Sequence, residues 1–505
     1  MKFIDNLLNQ ITMYRLTVYY LIMLLCVALF LSFFQLVGFS PMALIVSTAL
    51  IVATGYITNR AIGYFLAVPT NTESFLITTL ILTLIITPSE HYVGYPFLVA
   101  ATGLAIASKY LLTYKNKHIF NPAAIAVVVT SLFFGQSASW WVGTTYLMPF
   151  VLVGGLLLVR KIQREDLVFT FLLSALAVTF FFSLMHQSSI LTTLTALTLH
   201  SSLLFLGFVM LTEPLTTPPT KRLQAIYGAI VGLLFSPNIA LGPLVMTPEI
   251  ALCIGNIFAF VVSPKIRLKL FMQKSIAYGE DTVDYIFSLP QKISFTPGQY
   301  LEWTIPHDHT DSRGNRRYFT IASSPTESQM HLGVRFYPDG SSFKKALKSI
   351  TATTPVLVGS LGGDFVLPDD PKKKLVFLAG GIGITPYRAM IKYLTDANQK
   401  RDIVLFYANK TEEEIAYTDV FDEAQKAYGL RTVYTLTDEA SIPTSWKGEK
   451  GRISGEMIKK YVPDYLDRWY YLSGPHGMVT YYEELLHMLH VPSSHIKKDF
   501  FPGFV

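Results

Sequence analysis

The sequence has 505 residues, of which 51% are hydrophobic and only 15% are charged, with a formal net charge of +6. At this length more than one domain is expected, and the abundant apolar residues exclude a disordered chain. The only two cysteines, Cys26 and Cys253, both lie in apolar segments. They are too few for a disulfide scaffold, an iron–sulfur cluster or a cysteine-rich zinc site, and no metal site is predicted.

Charge is distributed unevenly along the chain. Residues 1–270 carry 14 Lys and Arg and 7 Asp and Glu, which is about 8% of that part, whereas residues 271–505 are about 23% charged. The first part has the composition of a membrane protein and the second that of a soluble protein. Because the excess positive charge lies in the apolar part, no nucleic-acid partner is expected.

Ten apolar stretches in the first part reach or approach the length of about 20 residues that a membrane-spanning helix needs. They are residues 15–36, 42–58, 74–88, 96–114, 121–135, 143–159, 167–186, 189–211, 224–238 and 243–263. The segment 61–70 is interpreted as a short return at the surface. With ten crossings every Lys and Arg up to Lys269 falls on one side, and the positive-inside rule predicts a multi-pass cell-membrane protein with both termini cytoplasmic.

Two loops on the basic side have unusual chemistry. One contains Asn121 and Pro122, and the other contains Glu213, Thr216 and Thr217. An Asn-Pro pair that opens a helix presents N–H groups and a positive dipole end, which suit a phosphate or an anionic flavin ring, and the threonines add hydroxyls. The alternative is that both loops are helix caps and proline turns.

These loops also carry a family resemblance. Three motifs occur in order, namely Phe120-Asn121-Pro122-Ala123-Ala124, Thr212-Glu213-Pro214-Leu215-Thr216-Thr217-Pro218 and Ile226-Tyr227-Gly228-Ala229. Together they resemble the RnfD/NqrB family, the membrane flavoprotein subunits of Rnf complexes and sodium-translocating NADH:quinone reductases, over about residues 40–262. Members carry FMN on a Thr of a Ser/Thr-Gly-Ala-Thr signature. That tetrapeptide is missing here, so a membrane flavin, FMN or another, is expected to be noncovalent if present.

The soluble part contains two structural patterns. Residues 271–368 contain short runs in which apolar and polar residues alternate, separated by Gly and Pro. This pattern predicts short strands and a small antiparallel β-barrel. Residues 373–495 alternate strands and helices, which predicts an α/β doubly wound parallel sheet. The predicted domains are therefore 1–265, 266–370 and 371–505.

Four short motifs in this part, two in the barrel and two in the parallel sheet, indicate nucleotide chemistry. In the barrel, Arg317 suits a pyrophosphate, an aromatic neighbour suits a flavin ring and a hydroxyl can reach its N5 atom. Later glycines bring backbone close to phosphates, either before a helix or at the carboxyl end of a strand. The motifs are Arg317-Tyr318-Phe319-Thr320, then Gly340-Ser341-Ser342, and then the two glycine turns Gly380-Gly381-Ile382-Gly383-Ile384-Thr385-Pro386 and Ser473-Gly474-Pro475-His476-Gly477-Met478.

In order and spacing, these motifs resemble the ferredoxin–NAD(P)⁺ reductase family over residues 267–505. The resemblance implies that the barrel residues from Arg317 to Thr320, with Gly340, Ser341 and Ser342, bind FAD. It implies that NAD(P)H is bound by Gly380, Gly381, Gly383, Thr385, Pro386, Gly474, Pro475 and Met478. Ser473 replaces the family's Cys beside the nicotinamide, and Phe500 or Phe501 corresponds to its terminal aromatic. Thr320, Ser473 and Phe500 are the predicted catalytic residues.

The combined reading is a membrane-bound NAD(P)H dehydrogenase. Electrons are expected to pass from NAD(P)H to FAD and then to a flavin or quinone near Asn121, Glu213 and Thr216, since the sequence has no cysteines for an iron–sulfur relay. Other electron-transport subunits and coupling to ion movement remain open alternatives. So do a haem-relay reductase, for which His186 and His200 are a poor pair, and a transporter with a regulatory reductase domain.

Overall fold

The computed structural model describes residues 8, 11–66, 70–115, 117–236, 238–242, 244–308, 310–311, 314–338 and 340–499. The chain divides into two compact units, one ending at Lys265 and the other beginning at Ile266. We refer to them as the membrane unit and the reductase unit. Cys26 is exposed and Cys253 is buried, and both are free thiols.

The membrane unit is helical. Its helices are α1 (Met13–Phe33), α2 (Pro41–Phe65), α3 (Thr72–Ile85), α4 (Tyr95–Leu111), α5 (Pro122–Phe134), α6 (Met148–Ile162), α7 (Glu165–Met185), α8 (Ile190–Leu199), α9 (Leu203–Phe205) with a π-helical turn at Leu206–Met210, α10 (Lys221–Leu233) and α11 (Pro248–Val262). Two short hairpins join them, β1 (Thr113–Tyr114) with β2 (Lys117–His118) and β3 (Ala240–Leu241) with β4 (Leu244–Val245). Proline in the first turn and a capping side chain start several of these helices, among them α2, α5 and α11.

Each of the ten apolar stretches overlaps one of these helical segments, counting residues 190–210 as one. Among the described residues three helices, α1, α2 and α7, are long and apolar enough to cross a membrane. A fourth span is formed if α8 and the segment Leu203–Met210, bent by 52°, count as one. Several of the remaining helices are apolar but shorter, so the number ten stays a prediction.

The predicted surface return at 61–70 is wrong over its first part, because α2 continues to Phe65. Two contacts satisfy the polar residues near the end of this helix. Tyr110 donates to Asn59 Oδ1 over 2.7 Å, and the Arg60 guanidinium lies 5.7 Å from the ring of Tyr56, one turn earlier. Polar residues that predict a helix end are therefore accommodated within the helix. Residues 67–69 lie outside the described part.

The first half of the reductase unit is antiparallel. Its strands are β5 (Arg267–Leu270), β6 (Met272–Tyr278), β7 (Thr282–Ser288), β8 (Tyr300–Thr304), β9 (Arg316–Thr320), β10 (Gln329–Arg335) and β11 (Val356–Gly362), with helix α12 (Ser342–Lys348) before β11. They form two sheets, ordered β10-β7-β6 and β5-β11-β8-β9. Apolar residues of both sheets share one core, in which the rings of Phe287 and Trp303 are 5.3 Å apart. The predicted antiparallel strands are confirmed.

The second half is a six-stranded, wholly parallel sheet. Its strands are β12 (Leu375–Gly380), β13 (Ile403–Asn409), β14 (Arg431–Leu436), β15 (Glu449–Lys450), β16 (Trp469–Ser473) and β17 (Ile496–Lys498), in the order β15-β14-β13-β12-β16-β17. The helices between them are α13 (Thr385–Asp396), α14 (Thr418–Tyr428), α15 (Gly455–Tyr461) and α16 (His476–Met488). The strand order changes direction at β12, so a crevice is expected there at the carboxyl ends of the strands.

The central strand β12 shows why helices cover both faces of this sheet. Successive side chains of a strand point to opposite faces. Phe377 and Ala379 pack in a core with residues of α13 and α14, whereas Val376 and Leu378 pack in a second core with residues of α15 and α16. A strand that is apolar at every position therefore requires a layer of helices on each side, which confirms the predicted doubly wound sheet.

Candidate functional site

The predicted FAD-binding residues of β9 contact different neighbours. Arg317 is 7% exposed, its guanidinium lies 5.5 Å from the ring of Phe343, and the Phe319 ring is 5.8 Å from the same ring. Tyr318 instead donates to Glu302 Oε2 over 3.0 Å. Thr320 is buried at the end of the strand. Arg317 and Phe319 therefore both pack against Phe343 of α12, whereas Tyr318 contacts Glu302 instead.

A carboxylate joins Arg317 to the residues Gly340–Ser342. Ser341 caps α12 by accepting from the Lys344 N–H, and the Ser342 N–H donates to Asp311 Oδ2 over 2.9 Å. The other oxygen of Asp311 is 3.6 Å from Arg317 Nη2. An anion therefore already lies between this guanidinium and this N–H, and the donor set fits a phosphate group. Sequence reasoning missed Asp311, which no motif marks.

The glycines after β12 lie against the backbone after β16. Gly381 has a φ of +50°, a conformation that favours glycine. A Cβ atom on Gly383 would lie 2.5 Å from the carbonyl carbon of Ser473 and 2.6 Å from Cα of Gly474. One on Gly380 would meet the side chain of Met478. The two predicted glycine turns are therefore in direct contact at the carboxyl ends of neighbouring strands.

The remaining predicted residues of this crevice complete the two turns. Thr385 Oγ1 donates to the carbonyl of Ile382 over 3.2 Å, and Pro386 occupies the first turn of α13. On the other strand, Pro475 precedes α16 and its carbonyl accepts from the Met478 N–H over 2.9 Å. Both turns are thus fixed by local hydrogen bonds at the start of a helix, an arrangement that lets backbone approach a dinucleotide closely.

Ser473 is tied to the end of the described chain. Its hydroxyl donates to Asp499 Oδ2 over 3.0 Å, and the Asp499 N–H donates to the carbonyl of Leu472 over 2.9 Å. Below the crevice, burial raises the pKa of Tyr387 well above its usual value, and its hydroxyl donates to the Tyr471 carbonyl. Asp499 was missed from sequence although it directly precedes the aromatic tail. The predicted Phe500 and Phe501 lie outside the described residues.

In the membrane unit the three predicted residues Asn121, Glu213 and Thr216 come together. Asn121 Nδ2 donates to Glu213 Oε2 over 2.8 Å, and Thr216 Oγ1 donates to the same oxygen over 3.3 Å. Glu213 lies in the loop before α10, where burial raises its pKa to about 7 against the opposing effect of Lys109. The loop is held by Lys117, which donates to the Thr217 carbonyl over 3.1 Å.

The N–H groups at the start of α5 agree with the alternative of a helix cap and not with the reading of an anion-binding helix end. The Ala124 N–H donates to Asn121 Oδ1 over 3.1 Å, so Asn121 is a helix cap. The Asn121 N–H donates to Asn256 Oδ1, and Asn256 Nδ2 donates to the Tyr227 hydroxyl, each over 2.8 Å. These donors are bonded inside the protein and do not face a ligand. The sequence does not reveal the partner on α11.

A partly open pocket adjoins these residues. Asn121 and Glu213 line it together with Lys109, whose ammonium group donates to the Ser74 carbonyl over 2.5 Å and to its hydroxyl over 2.9 Å. Most of the other lining side chains are apolar or carry hydroxyls. A pocket lined largely by apolar side chains, with a few convergent polar groups, is typical of small-molecule sites. Sequence reasoning used Lys109 only for orientation.

The two histidines of the haem alternative lie at the ends of different helices. His186 ends α7 and stacks on Phe182, whereas His200 ends α8 beside Thr145. The prediction that they do not share a helix is confirmed.

Two family descriptions match parts of the chain. Residues 131–266 match the NQR2, RnfD, RnfE family, and residues 377–484 match the oxidoreductase NAD-binding domain. The first match lies within the membrane unit except for its last residue, and it begins after Asn121. Both resemblances noted in the sequence are confirmed within these ranges.

Curated relatives are reductases and related proteins. The glycine betaine monooxygenase reductase subunit of Chromohalobacter salexigens is 26% identical over 225 residues, 44% of this chain and 60% of the relative. A flavohemoprotein of Bacillus cereus is 26% identical over 219 residues, 41% of this chain and 53% of the relative. The chain thus spans little more than half the length of the curated relatives it matches.

Among solved structures, an Amycolatopsis cytochrome P450 reductase is 22% identical, with a TM-score of 0.41 over 47% of this chain and 70% of that one. The cytochrome b5 reductase domain of Ulva prolifera nitrate reductase is 20% identical, with a TM-score of 0.39 over 47% of this chain and 98% of that one. The chain contains one segment that matches the NQR2, RnfD, RnfE family and one that matches the oxidoreductase NAD-binding domain, and its second part is similar in sequence to reductase components.

Proposed function

We propose that the protein is a membrane-bound NAD(P)H dehydrogenase that transfers electrons from NAD(P)H through FAD to a quinone or flavin in the membrane unit. The observation that carries the proposal is the contact between the glycine turns at Gly383 and Ser473–Gly474, at the point where the parallel sheet reverses its strand order. Nucleotides bind at this point in open α/β sheets. The match of residues 377–484 to the NAD-binding domain supports it.

The chain's own residues suit FAD at the antiparallel strands. Arg317 and the Ser342 N–H already face one carboxylate, and they would hold the pyrophosphate in its place. Phe319 would lie beside the ring and Thr320 near its reacting edge, while Tyr318 would support the strand through Glu302. When bound, FAD accepts a hydride and releases electrons one at a time.

For NAD(P)H, backbone approach is the main requirement. Gly380, Gly381 and Gly383 would lie along the pyrophosphate, with Thr385 and Pro386 at the start of the helix. Gly474, Pro475 and Met478 would line the nicotinamide end, beside Ser473. Ser473 and the tail that follows Asp499 would then position the nicotinamide for hydride transfer. Phe500, which directly follows Asp499 in the sequence, is the aromatic residue proposed for this role.

Ser473→Ala tests this positioning role. Removing the hydroxyl breaks the bond to Asp499, and a hydrogen bond to a charged group contributes about 1.5–3 kcal/mol, so the rate of flavin reduction is expected to fall about tenfold. Stopped-flow absorbance of the flavin measures this rate. FAD content should be unchanged, and Ser349→Ala, an exposed serine elsewhere in the reductase unit, is the control. A wild-type rate in Ser473→Ala would contradict the role.

In the membrane unit we propose ten crossings with cytoplasmic termini, and a quinone or noncovalent flavin in the pocket beside Asn121, Glu213 and Thr216. The predicted domains 1–265, 266–370 and 371–505 would then bind the electron acceptor, FAD and NAD(P)H, respectively. Support comes from the pocket's largely apolar lining, and from Glu213, a half-buried carboxylate that lines the pocket together with the half-buried ammonium group of Lys109. Coupling to ion movement and further subunits are compatible with this arrangement.

The test uses the purified full-length protein in detergent. NADH and NADPH are expected to bleach a bound flavin, and a soluble quinone analogue should then reoxidise it; acid precipitation separates noncovalent from covalent flavin. Glu213→Gln should lower quinone reduction about tenfold and leave bleaching unchanged, because it acts only at the acceptor pocket. Glu165→Gln, an exposed carboxylate at the start of α7, is the matched control. Absence of nucleotide-dependent bleaching would refute the proposed function.

A further inference from the structure

We infer that Arg388 is a positioning residue for hydride transfer, which holds the nucleotide site of the parallel half against the flavin site of the antiparallel half. The antiparallel half comprises strands β5–β11 of the reductase unit, and the parallel half comprises strands β12–β17. The inference rests on the proposed function, in which NAD(P)H and FAD bind in different halves. Hydride transfer then depends on contacts that fix one half relative to the other.

Arg388 lies on the helix that begins at the proposed nucleotide site. It is in the first turn of α13, two residues after Pro386, and it is 5% exposed. A charged side chain is rarely buried to this extent unless its charge is paired. The hydrogen bonds of its guanidinium lead across to the antiparallel half.

Two acceptors of the antiparallel half receive this guanidinium. Nη2 of Arg388 donates to Glu327 Oε1 over 2.8 Å, and Nη1 donates to Glu327 Oε2 and, over 3.1 Å, to the Ala322 carbonyl. Ala322 is two residues after Thr320, which is proposed to lie near the reacting edge of the flavin. A bidentate pair fixes the orientation of a guanidinium as well as its distance. The contact therefore joins the start of the nucleotide helix to the end of the flavin-binding strand.

The acceptors are themselves held in place. The Ala322 N–H donates to the His331 carbonyl over 3.2 Å, which ties this acceptor to β10. The Ser324 N–H donates to Glu327 Oε2 over 2.6 Å, and the Glu327 N–H donates to the Ser324 carbonyl over 3.1 Å. The loop after β9 thus closes around its own carboxylate. A displacement of Arg388 is therefore transmitted to the strands that bind the flavin.

A tyrosine in an uncommon backbone conformation packs against the same guanidinium. The Tyr417 ring lies 5.5 Å from the guanidinium carbon of Arg388, and Tyr417 has a φ of +63°. A Cβ atom on Gly333 of β10 would lie 2.9 Å from the Tyr417 hydroxyl, so this ring also reaches the antiparallel half. Such conformations persist where the surroundings enforce them, and they cluster at functional sites. Two residues of the parallel half thus meet the antiparallel half at one place.

An ion pair of this kind can also serve stability alone, and a suitable variant separates the two roles. Replacing both members of a buried pair by uncharged side chains of similar size often leaves stability unchanged, whereas removing one member leaves an uncompensated charge. The double variant Arg388→Met/Glu327→Gln removes both charges. Its glutamine oxygen still accepts from the Ser324 N–H, so the loop after β9 keeps its own hydrogen bond.

The experiment follows flavin reduction in the purified full-length protein by stopped-flow absorbance, with whichever of NADH and NADPH bleaches the wild type. In the double variant the rate at saturating nucleotide is expected to fall tenfold or more, since a displacement of about 1 Å costs about 100-fold. FAD content, nucleotide affinity and unfolding temperature should be unchanged, because the residues proposed to bind each cofactor are intact. Arg388→Lys keeps the charge without the planar fork, and an intermediate rate is expected.

A second measurement does not depend on turnover. Tetrahydro-NADH and tetrahydro-NADPH cannot donate a hydride, and a nicotinamide ring stacked on a flavin gives a long-wavelength charge-transfer band. The wild type is expected to show this band, and the double variant to lose at least half of its intensity. Lys392→Met is the matched control, because Lys392 lies one turn later on α13 and is paired within the parallel half, 2.7 Å from Asp396 and 3.2 Å from Glu423. It should keep the wild-type rate and band.

The outcomes separate this inference from the proposed function. A fall of less than tenfold, or an unchanged band, in the double variant overturns the inference, and so does loss of FAD or of nucleotide affinity, which would show a structural role. If the double variant does not fold, a wild-type rate in Arg388→Lys overturns the inference, and a slower rate with unchanged nucleotide affinity supports it. If neither nucleotide bleaches the wild-type flavin, the proposed function is refuted, and the charge-transfer band alone then supports or overturns the inference.

Discussion

Arg317→Ala is expected to lose FAD and to lower nucleotide-driven flavin reduction about 100-fold. The substitution removes a buried guanidinium that faces the same carboxylate as the Ser342 N–H, the position proposed for the FAD pyrophosphate. Two charge-assisted hydrogen bonds to phosphate are worth about 3 kcal/mol or more, which corresponds to about 100-fold in affinity. Acid extraction and flavin fluorescence measure the FAD content directly.

Two further variants keep this result interpretable. Arg316→Ala removes the neighbouring arginine of the same strand, whose side chain is 43% exposed and lies 3.4 Å from Glu302, and it should retain FAD. Arg317→Lys keeps the charge but loses the planar fork, and an intermediate affinity is expected. If Arg317→Ala is folded by circular dichroism and binds FAD like the wild type, the proposed FAD site is wrong.

Gly383→Ala is expected to lower kcat/KM for NAD(P)H about 100-fold with FAD still bound. The added Cβ would meet the backbone of Ser473 and Gly474, which cannot rotate away as a side chain can. The two glycine turns must then separate, and a displacement of about 1 Å in a reacting site costs about 100-fold. Overpacking of this kind also destabilises a fold by about 1–3 kcal/mol, so thermal unfolding is measured alongside.

The chain offers a matched control for this variant. Gly477 lies in the first turn of α16, close in sequence to Gly474, but a Cβ there has no atom within 4 Å among its described neighbours. Gly477→Ala should leave catalysis unchanged and stabilise the helix by about 0.5–1 kcal/mol. Equal activities of the two variants would argue against close packing of the turns as the basis of nucleotide binding.

The parallel sheet and its glycine turns were predictable because their signals are local. A fully apolar strand such as β12, followed by closely spaced glycines and a helix, carries its own periodicity and turn chemistry. The helix beginning at Pro122 was predictable for the same reason, since Asn121 is a capping residue directly before it. Each feature depends on residues within one or two turns of each other.

Other parts of the site were not predictable, because they depend on partners distant in sequence. Asp311 lies in a loop with no motif, and only the fold brings it to Arg317 and Ser342. The sequence left open whether the start of α5 binds a ligand or is capped, and it gave no sign that Asn256, on a helix more than a hundred residues later, accepts the Asn121 N–H. Lys109 was interpreted from its charge alone, whereas its position in the pocket depends on the packing of α3 against α4.

The pairing of β12 with β16 has a consequence for biosynthesis. These neighbouring strands are separated in sequence by β13, β14 and β15, so the crevice acquires its second wall only after most of the soluble part has left the ribosome. Contacts of such long sequence separation form slowly. The membrane unit is translated first, so all of its helices leave the ribosome before the crevice is complete. On the proposed function, nucleotide oxidation therefore begins only after the unit proposed to bind the electron acceptor has been synthesised.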